Sequence, residues 1–293
     1  SNTALAIGEK IKYVFVKTYN TFTAEKQIVV LAKDLCGKYF PEKNAELKFE
    51  DYKEGDKNIP FEVIAECDGK DLKGIKYEQL LPYTQPDSEK KFEVIAGDFV
   101  TTEDGTGIVH IAPSFGADDF RVAKQNNIGA LTLVDRRGKF TEEVSDFANE
   151  YVKEQYLTED EKKSEIERLK NLPETSELNK LIKQIVERSN DYLSVDDRIV
   201  LKLQLEGKLF KKEKYEHTYP HCWRTDKPIL YYPLDSWFIK TTAKKDRLIE
   251  LNKTINWKPK STGEGRFGNW LENLQDWNSV SYTHLTLPTN REV

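Results

Sequence analysis

Short apolar runs separated by turn residues dominate the first part of the chain. Valine, isoleucine, phenylalanine and tyrosine fill these runs, and β-branched and aromatic side chains favour strands. Their spacing is typical of a barrel or a bent sheet. Between them, residues 73–77 and 81–83 look like loop and edge elements around a pocket. We predict strands at residues 13–16, 27–31, 61–64, 92–95 and 108–111.

The hydrophobic period changes further along the chain. Leu178, Ile182 and Ile185 recur at the spacing of one helix face, and Pro173 interrupts the helical pattern before them. From residue 215 onward aromatic residues and prolines cluster, which indicates a second packing unit. We predict a short helix at residues 118–124, two helices within residues 159–188, and an apolar helical segment at residues 200–205 that ends at Gly207.

Composition narrows the class of protein. The chain of 293 residues is 38% hydrophobic, which is enough to bury a sizeable core. Its 45 basic and 50 acidic side chains nearly cancel, so an RNA partner would need local basic patches. Cys36, Cys67 and Cys222 lie too far apart for a metal or redox pair, which favours the cytoplasm. No apolar run approaches the ~20 residues of a membrane helix, so we expect a soluble protein.

Residues 105–120 carry the densest chemistry of the sequence. Three glycines allow positive φ or close approach to a ligand, beside a histidine and two aspartates. Singly, each has a structural alternative: turns for the glycines, a core position for His110, and helix capping for Asp118 and Asp119. Together they suit an aminoacyl ester on a ribose, because an ionised aspartate holds an ammonium and a histidine bonds a hydroxyl.

This segment resembles a known family. Residues 105–120 are similar to the signature of the editing (CP1, connective peptide 1) domains of isoleucyl-, valyl- and leucyl-tRNA synthetases, in which Gly-Thr-Gly, Val-His, Ala-Pro, Gly and Asp-Asp follow in order. Residues 1–8, and residues 219–224 with 236–238, resemble the isoleucyl members on either side of this domain. Three separated motifs thus occur in family order.

The resemblance implies a fold class and a domain organisation. The expected fold is α+β, an editing-domain type with a β-barrel-like core, peripheral helices and an aromatic-rich connector. Residues 1–214 would form the editing domain, and residues 215–278 the connector that returns toward a catalytic core. Residues 279–293 do not match the family, so we expect them to be a non-native tail.

The implied function is post-transfer editing, the hydrolysis of valine wrongly esterified to isoleucine tRNA. One missing methylene supplies only about 1–3 kcal/mol of discrimination, a general limit for which isoleucine against valine is the standard illustration. A second site can reject isoleucine by size and admit valine. The implied partners are the 3′ end of tRNA(Ile) and the misattached valine, and we expect a monomer without a membrane partner.

The same resemblance implies roles for individual residues. Asp119 would hold the α-ammonium, His110 would contact the terminal ribose or the side-chain pocket, and Asn2 would lie beside the ester. Water would attack the ester carbonyl, with positioning more important than a side-chain nucleophile. The expected substrate site is completed by Gly105, Thr106, Gly107, Phe115 and Asp118.

Cofactors are not expected for editing, and neither is a catalytic metal. ATP and Mg²⁺ would serve only the catalytic core of such an enzyme. The sequence contains neither a His-x-Gly-His nor a Lys-Met-Ser-Lys-Ser type signature, and it has no methionine. We therefore expect no aminoacylation by this chain.

Basic residues are candidates for contacts with tRNA phosphates. Solvated surface is the alternative for each of them. The principal candidates form one run, and four further residues lie elsewhere. They are Lys208, Lys211, Lys212 and Lys214 in the run, with Arg121, Lys124, Arg136 and Arg137 outside it.

Two departures from the family leave alternatives open. The threonine-rich motif that lines the editing pocket in the family would precede Ser1. A non-catalytic, tRNA-binding connective module is therefore the alternative function. Relatives that bind zinc carry a second cysteine where this sequence has Thr225. His217 and His221 could join Cys222 at a metal, but a packed connector with a free thiol is the favoured interpretation.

Overall fold

A computed structural model describes residues 2–214, 218–234 and 237–278. The expected tail at 279–293, the candidate ligand His217 and the motif residue Ser236 lie outside the described residues. The strands are β1 (Ala4–Ile7), β2 (Lys12–Tyr19), β3 (Lys26–Ala32), β4 (Phe61–Asp68), β5 (Glu93–Ala96), β6 (Ile108–Ile111), β7 (Phe238–Ile239) and β8 (Trp277–Asn278). The helices are α1 (Cys36–Tyr39), α2 (Gly69–Leu72), α3 (Ala117–Gln125), α4 (Glu159–Lys170), α5 (Glu177–Ser189), α6 (Val195–Leu205), α7 (Lys245–Thr254) and α8 (Phe267–Glu272).

The first sheet, sheet A, has β1 at its centre. This strand pairs parallel with β5 and antiparallel with β6. Ala4 and Ala6 pack into one cluster with Ile111 and with Val122 of α3, while Ile7 packs into a second cluster on the other face. The alternation of faces along β1 therefore buries both sides of the strand. The strand pattern predicted β5 and β6 but not β1.

The second sheet, sheet B, has β2 at its centre, paired antiparallel with β3 and β4. The register between β2 and β4 shifts between Phe15 and Val16, which marks a bulge. One face packs Val14, Val16 and Leu31 against Phe40 at the end of α1. The predicted strands at residues 13–16, 27–31 and 61–64 are all confirmed here.

The prediction of a β-barrel-like core is wrong for the described residues. Their main sheets have three strands each and remain separate. The edge strand β3 reaches the loop before β6 through a single backbone bond, from Ala32 N–H to Thr106 O at 2.8 Å. A barrel needs a continuous ladder between neighbouring strands, and one hydrogen bond does not supply it. The α+β class itself holds.

Three helices, α4, α5 and α6, follow the predicted pattern closely. Each begins at a hydroxyl side chain that accepts a backbone N–H of the first turn: Thr158 for α4, Ser176 for α5 and Ser194 for α6. Pro173 lies between α4 and α5, where the sequence predicted a break. Gly207 adopts φ +68° two residues after α6, as a helix end favours.

A buried ion pair joins this helical region to the chain before it. Arg198 of α6 is 2% exposed, and its guanidinium donates to both carboxylate oxygens of Glu150. Arg168 of α4 contacts the same carboxylate at 2.8 Å. Two arginines from two helices therefore share one acid, because a buried guanidinium is tolerated only when it is paired.

The contacts along the chain divide it into two compact units, between Tyr232 and Pro233. Residues 218–232 therefore group with the first unit rather than with the second. In the second unit, the buried Asn252 donates to Gly263 O at 2.9 Å and accepts from Trp257 Nε1 at 2.9 Å. The assignment of residues 1–214 and 215–278 to separate functional domains stays a prediction. None of the described helices has the length and apolar character needed to cross a bilayer.

We predict that Glu150→Ala lowers the free energy of unfolding by about 3–5 kcal/mol, because it leaves the Arg198 guanidinium buried without its acid. Urea denaturation measures the loss. The matched control is Glu177→Ala, which removes an exposed partner of Lys180 and costs less than about 1 kcal/mol. Equal losses in the two variants would contradict the structural role of the buried pair.

Candidate functional site

The candidate site residues of the segment 105–120 fall into two groups, one at each end of β6. The antiparallel register pairs Ile108 with Ile7 at one end and Ile111 with Ala4 at the other. The Gly-Thr-Gly turn comes before the first end, and the segment leading to Asp119 follows the second. At about 3.3 Å per residue, the strand keeps these groups about 10 Å apart.

The turn at residues 105–107 packs on sheet B and on α1, the helix that follows β3. All three of its backbone carbonyls accept hydrogen bonds from that region. Gly107 is also buried, and a Cβ there would approach Ala32 Cβ to 2.5 Å. The substrate-binding role of the turn stays a prediction, while its structural role is direct. The pairs are Gly105 O with Tyr39 Oη at 2.8 Å, Thr106 O with Ala32 N–H at 2.8 Å, and Gly107 O with Tyr13 Oη at 2.6 Å.

We predict that Gly107→Ala destabilises the protein more than Gly105→Ala. Both residues adopt positive φ, at +74° and +68°, and a non-glycine residue in that region loses about 1–2 kcal/mol. Gly105 faces open space, whereas Gly107 would also clash with Ala32, which adds about 1–3 kcal/mol. Urea denaturation of both variants tests the difference. If the two losses are the same, the turn does not pack on β3 as described.

At the other end of β6, Asp119 closes the loop that leads into α3. Its Oδ2 accepts from Ala112 N–H at 2.9 Å, and its carboxylate lies over Gly116, where a Cβ would come within 2.9 Å of Asp119 Cγ. Its Oδ1 makes no hydrogen bond within the described residues. The carboxylate is therefore held in place by one oxygen and leaves the other for a ligand.

His110 is exposed near the same end of β6, opposite Leu5 of β1. Directly opposed residues of an antiparallel pair share a face, so the histidine lies on the face of sheet A that carries Leu5 and Ile7. Helix α3 packs on the opposite face through Val122. The His110 ring makes no hydrogen bond among the described residues, so this position suits contact with a ligand rather than support of the core.

Asp118 and Phe115 are not brought to the Asp119 carboxylate. Asp118 pairs with Arg121 at 3.1 Å, and Arg121 also bonds Asp98 at 2.7 Å. The Arg121 hydrogen bond lowers the pKa of the Asp98 carboxyl. Phe115 packs edge-on against Tyr232, with ring centroids 6.4 Å apart. The structure thus gives these two residues local partners, and their predicted substrate contacts stay predictions.

Asn2 lies two residues before β1, at the end of sheet A where Ala112 follows β6. Its Oδ1 accepts from Tyr77 Oη, and its Nδ2 donates to Ala4 O at 3.1 Å. Burial raises the pKa of Tyr77 from its usual 10 to about 12, although the hydrogen bond with Asn2 acts in the opposite direction. Thr3 is fully buried, and its Oγ1 has no partner in the part of the chain that the structure describes.

A cavity of about 150 Å³ adjoins Asn2. Gln79, Leu81 and Tyr83 form one side of it, which agrees with the sequence interpretation of residues 81–83 as elements around a pocket. Sequence reasoning missed Thr3 and Gln79 as site residues, and it included Tyr77 only as part of the loop elements at residues 73–77. No local motif marks them, because only the tertiary pairing of β1 brings this loop beside Asn2.

We predict that Tyr77→Phe removes part of the alkaline loss of stability. The buried phenol has a raised pKa, so its contribution to stability is complete below about pH 10 and is lost as the pH rises through about 12. The stability difference between the wild type and Tyr77→Phe should shrink across this range. Urea denaturation at several pH values measures it. Tyr231→Phe, at a residue that is 67% exposed, should keep the wild-type slope; a matching change there would contradict the assignment to Tyr77.

The basic run is neutralised locally. Lys208, Lys211 and Lys212 each contact a carboxylate, at 2.6, 2.7 and 2.7 Å. Outside the run, Arg137 pairs with Asp135 at 2.8 Å. Exposed pairs of this kind are weak and are screened by salt. Contacts between these lysines and tRNA therefore stay a prediction, and solvated surface remains the alternative for them.

The turn around Cys222 has the backbone of a tight knuckle. Thr225 and Asp226 N–H groups both donate to Cys222 O, and Cys222 N–H donates to Lys227 O. The Thr225 hydroxyl and neighbouring backbone N–H groups bond the thiol and lower its pKa. Within the described residues, no three His, Cys, Asp or Glu side chains are grouped to hold a metal, and Cys222 is a free thiol.

Comparison with known protein families identifies the class of protein to which the chain belongs. The chain belongs to the class I tRNA synthetases, because the family described as tRNA synthetases class I (I, L, M and V) matches residues 23–283.

Individual relatives make the comparison more specific. The chain is 61% identical over 288 residues to an isoleucine–tRNA ligase of Cytophaga hutchinsonii, covering 95% of this chain and 24% of that protein. It is 53% identical over 281 residues to one of Bacteroides fragilis, with coverages of 95% and 24%. It is 36% identical over 277 residues to one of Clostridium tetani, with coverages of 94% and 21%. The chain thus spans about a quarter of the length of these curated relatives.

Proposed function

We propose that this chain hydrolyses valine from mischarged isoleucine tRNA, as the editing domain of an isoleucyl-tRNA synthetase. The observation that carries the proposal is the Asp119 carboxylate. It is fixed by one oxygen to Ala112 N–H and keeps Oδ1 without a hydrogen bond among the described residues. A fixed, half-used carboxylate suits an α-ammonium, because charge-assisted hydrogen bonds are strong and directional. The membership in the class I synthetases supports tRNA as the substrate.

The reaction needs few groups from the protein. Water adds to the ester carbonyl, the ester C–O bond breaks, and the proton of the water passes to the released ribose hydroxyl. The Asp119 carboxylate holds the ammonium, so the carbonyl is presented in one orientation. The exposed His110 ring is available to bond the ribose hydroxyl. Asn2 lies just before β1 and would stand beside the ester.

We expect Asp119→Asn to slow deacylation of valyl-tRNA(Ile) by about 10–100-fold, because the amide loses the charge that holds the ammonium. The amide keeps an oxygen that can accept from Ala112 N–H, so the loop stays closed. Single-turnover deacylation of valyl- and isoleucyl-tRNA(Ile) measures the rates. Asp160→Asn is the matched control, at an exposed carboxylate on α4, and it should retain the wild-type rate. A fully active Asp119→Asn variant would refute the role of the charge.

The second candidate is a non-catalytic, tRNA-binding connective module. The turn at residues 105–107 favours it, because all three of its carbonyls are already engaged by the fold. The same assay separates the two candidates. A folded chain that binds tRNA(Ile) but cleaves neither ester is a binding module, whereas selective loss of the valyl ester supports editing.

A further inference from the structure

Two hydrogen bonds fix the orientation of the Asn2 side chain. Ala4 O can only accept, so it receives a hydrogen from Asn2 Nδ2, at 3.1 Å. Asn2 Oδ1 therefore faces the other way, where it accepts from Tyr77 Oη. A side-chain amide nitrogen carries two hydrogens, and Ala4 O uses one of them. The amide is thus held at both ends and keeps one N–H for a ligand.

Tyr77 belongs to a segment that pairs with the outer edge of β5. Lys76 forms an antiparallel bridge with Glu93 of that strand. Three backbone bonds join the segment to β5 and to the residue before it. They run from Gly74 N–H to Val94 O at 2.8 Å, from Val94 N–H to Ile75 O at 2.8 Å, and from Tyr77 N–H to Phe92 O at 2.9 Å. The backbone therefore holds Tyr77 in place without help from its hydroxyl.

Phe92 connects this segment to the start of the chain. Its φ is +52°, a left-handed conformation that is costly for a bulky residue. Such a residue persists where its surroundings fix it on several sides. Phe92 N–H donates to Thr3 O at 2.7 Å, and the Phe92 ring meets the Tyr77 ring edge-on, with centroids 6.0 Å apart. Phe92 thus contacts the neighbour of Asn2 on one side and Tyr77 on the other.

The Tyr77 hydroxyl is a dedicated donor to Asn2. Burial raises the pKa of Tyr77 to about 12, so the phenol keeps its proton at neutral pH. Its hydroxyl makes no hydrogen bond within the described residues other than the one to Asn2 Oδ1. The bond fixes the direction of the amide and adds nothing to the backbone pairing of the segment.

We propose that Tyr77 is a positioning residue for deacylation, which holds the Asn2 amide so that its free N–H faces the ester. Negative charge develops on the ester carbonyl oxygen as water adds, and a donor with a fixed direction stabilises it best. Without the Tyr77 hydroxyl, the amide can turn and present its oxygen, which is an acceptor. The inference rests on the proposed editing function and adds to it a residue that does not touch the substrate.

Steady-state deacylation of valyl-tRNA(Ile) by Tyr77→Phe tests this role. The substitution removes the donor but keeps the ring and the backbone bonds of the segment. We expect kcat to fall about 3–10-fold, the effect of one hydrogen bond. KM should stay within about twofold, because the bond acts on the reacting ester and not on tRNA affinity. Unchanged kcat would overturn the proposal.

Tyr19→Phe is the matched control for this assay. It removes another tyrosine hydroxyl bond, from Tyr19 Oη on sheet B to Phe49 O at 2.9 Å. This variant should retain the kcat of the wild type. An equal fall of kcat in Tyr19→Phe and Tyr77→Phe would show a general effect of lost hydrogen bonds and would contradict the positioning role.

A double-mutant cycle shows whether Tyr77 acts through Asn2. Asn2→Ala removes the amide, so the hydroxyl has nothing left to orient. Tyr77→Phe should therefore cause no further loss of kcat when Asn2→Ala is already present. Independent roles would instead multiply the two losses, and that result would overturn the proposal.

NMR of the asparagine side-chain amides separates this inference from the proposed function, because it requires no turnover. Asn2→Ala identifies the Asn2 signals of the wild type. In Tyr77→Phe these signals should shift and sharpen toward those of a free side chain, while those of the buried Asn20 stay in place. If the valyl ester is cleaved while kcat and the Asn2 signals are unchanged in Tyr77→Phe, the positioning role fails and editing stands. If the signals move but the wild type cleaves neither ester, editing fails and the orientation of Asn2 by Tyr77 stands.

Discussion

The pairing of β1 with β5 and β6 is the constraint on which the candidate site depends. Four residues of β1 pair with β6 on one side and with β5 on the other, and three of them are buried by clusters on the two faces. This ladder fixes Asn2 beside Tyr77 and sets the carbonyl of Ile111 against Thr3 N–H at 2.9 Å. Without this strand pairing, the loop closed by Asp119 and the cavity-lining residues 79–83 would not hold fixed positions relative to each other.

Several polar groups near this frame have both structural and candidate chemical roles. Asp119 closes a loop with one oxygen and offers the other. Asn2 ties β1 to Tyr77 and keeps one donor. The Gly-Thr-Gly turn contacts sheet B through all of its carbonyls. Removing such a residue changes stability and chemistry together, so substitutions that keep one role, such as aspartate to asparagine, are the informative ones.

The helical region behind the cavity supplies rigidity. Arg198 and Arg168 both contact the Glu150 carboxylate. Lys202 of α6 contacts the Asp146 carboxylate, which also accepts a hydrogen bond from Tyr83 Oη. Burial acts to raise the pKa of Asp146, but the hydrogen bonds from Tyr83 and Lys202 outweigh it and lower the pKa. The ionised Asp146 carboxylate thus links Tyr83, which lines the cavity beside Asn2, to Lys202 of α6.

The sequence by itself determined the elements whose signals are local. Strands with β-branched runs, helices with hydroxyl caps and the break at Pro173 were all predictable, because propensity and capping act within a few residues. Family membership also followed from the motif order around His110 and Asp119. Strand β1 was missed because a four-residue strand buried on both faces shows no alternation of apolar and polar residues.

Only the tertiary structure decided which candidates share a site. Asp118 and Asp119 are adjacent and chemically identical, yet α3 turns about 100° per residue, so one meets Arg121 and the other meets Ala112. The expected barrel divides into two sheets because the loop at residue 106 makes one bond to β3. The unpaired oxygen of Gln79 has no sequence signal, since whether an acceptor is satisfied depends on what the fold places opposite it.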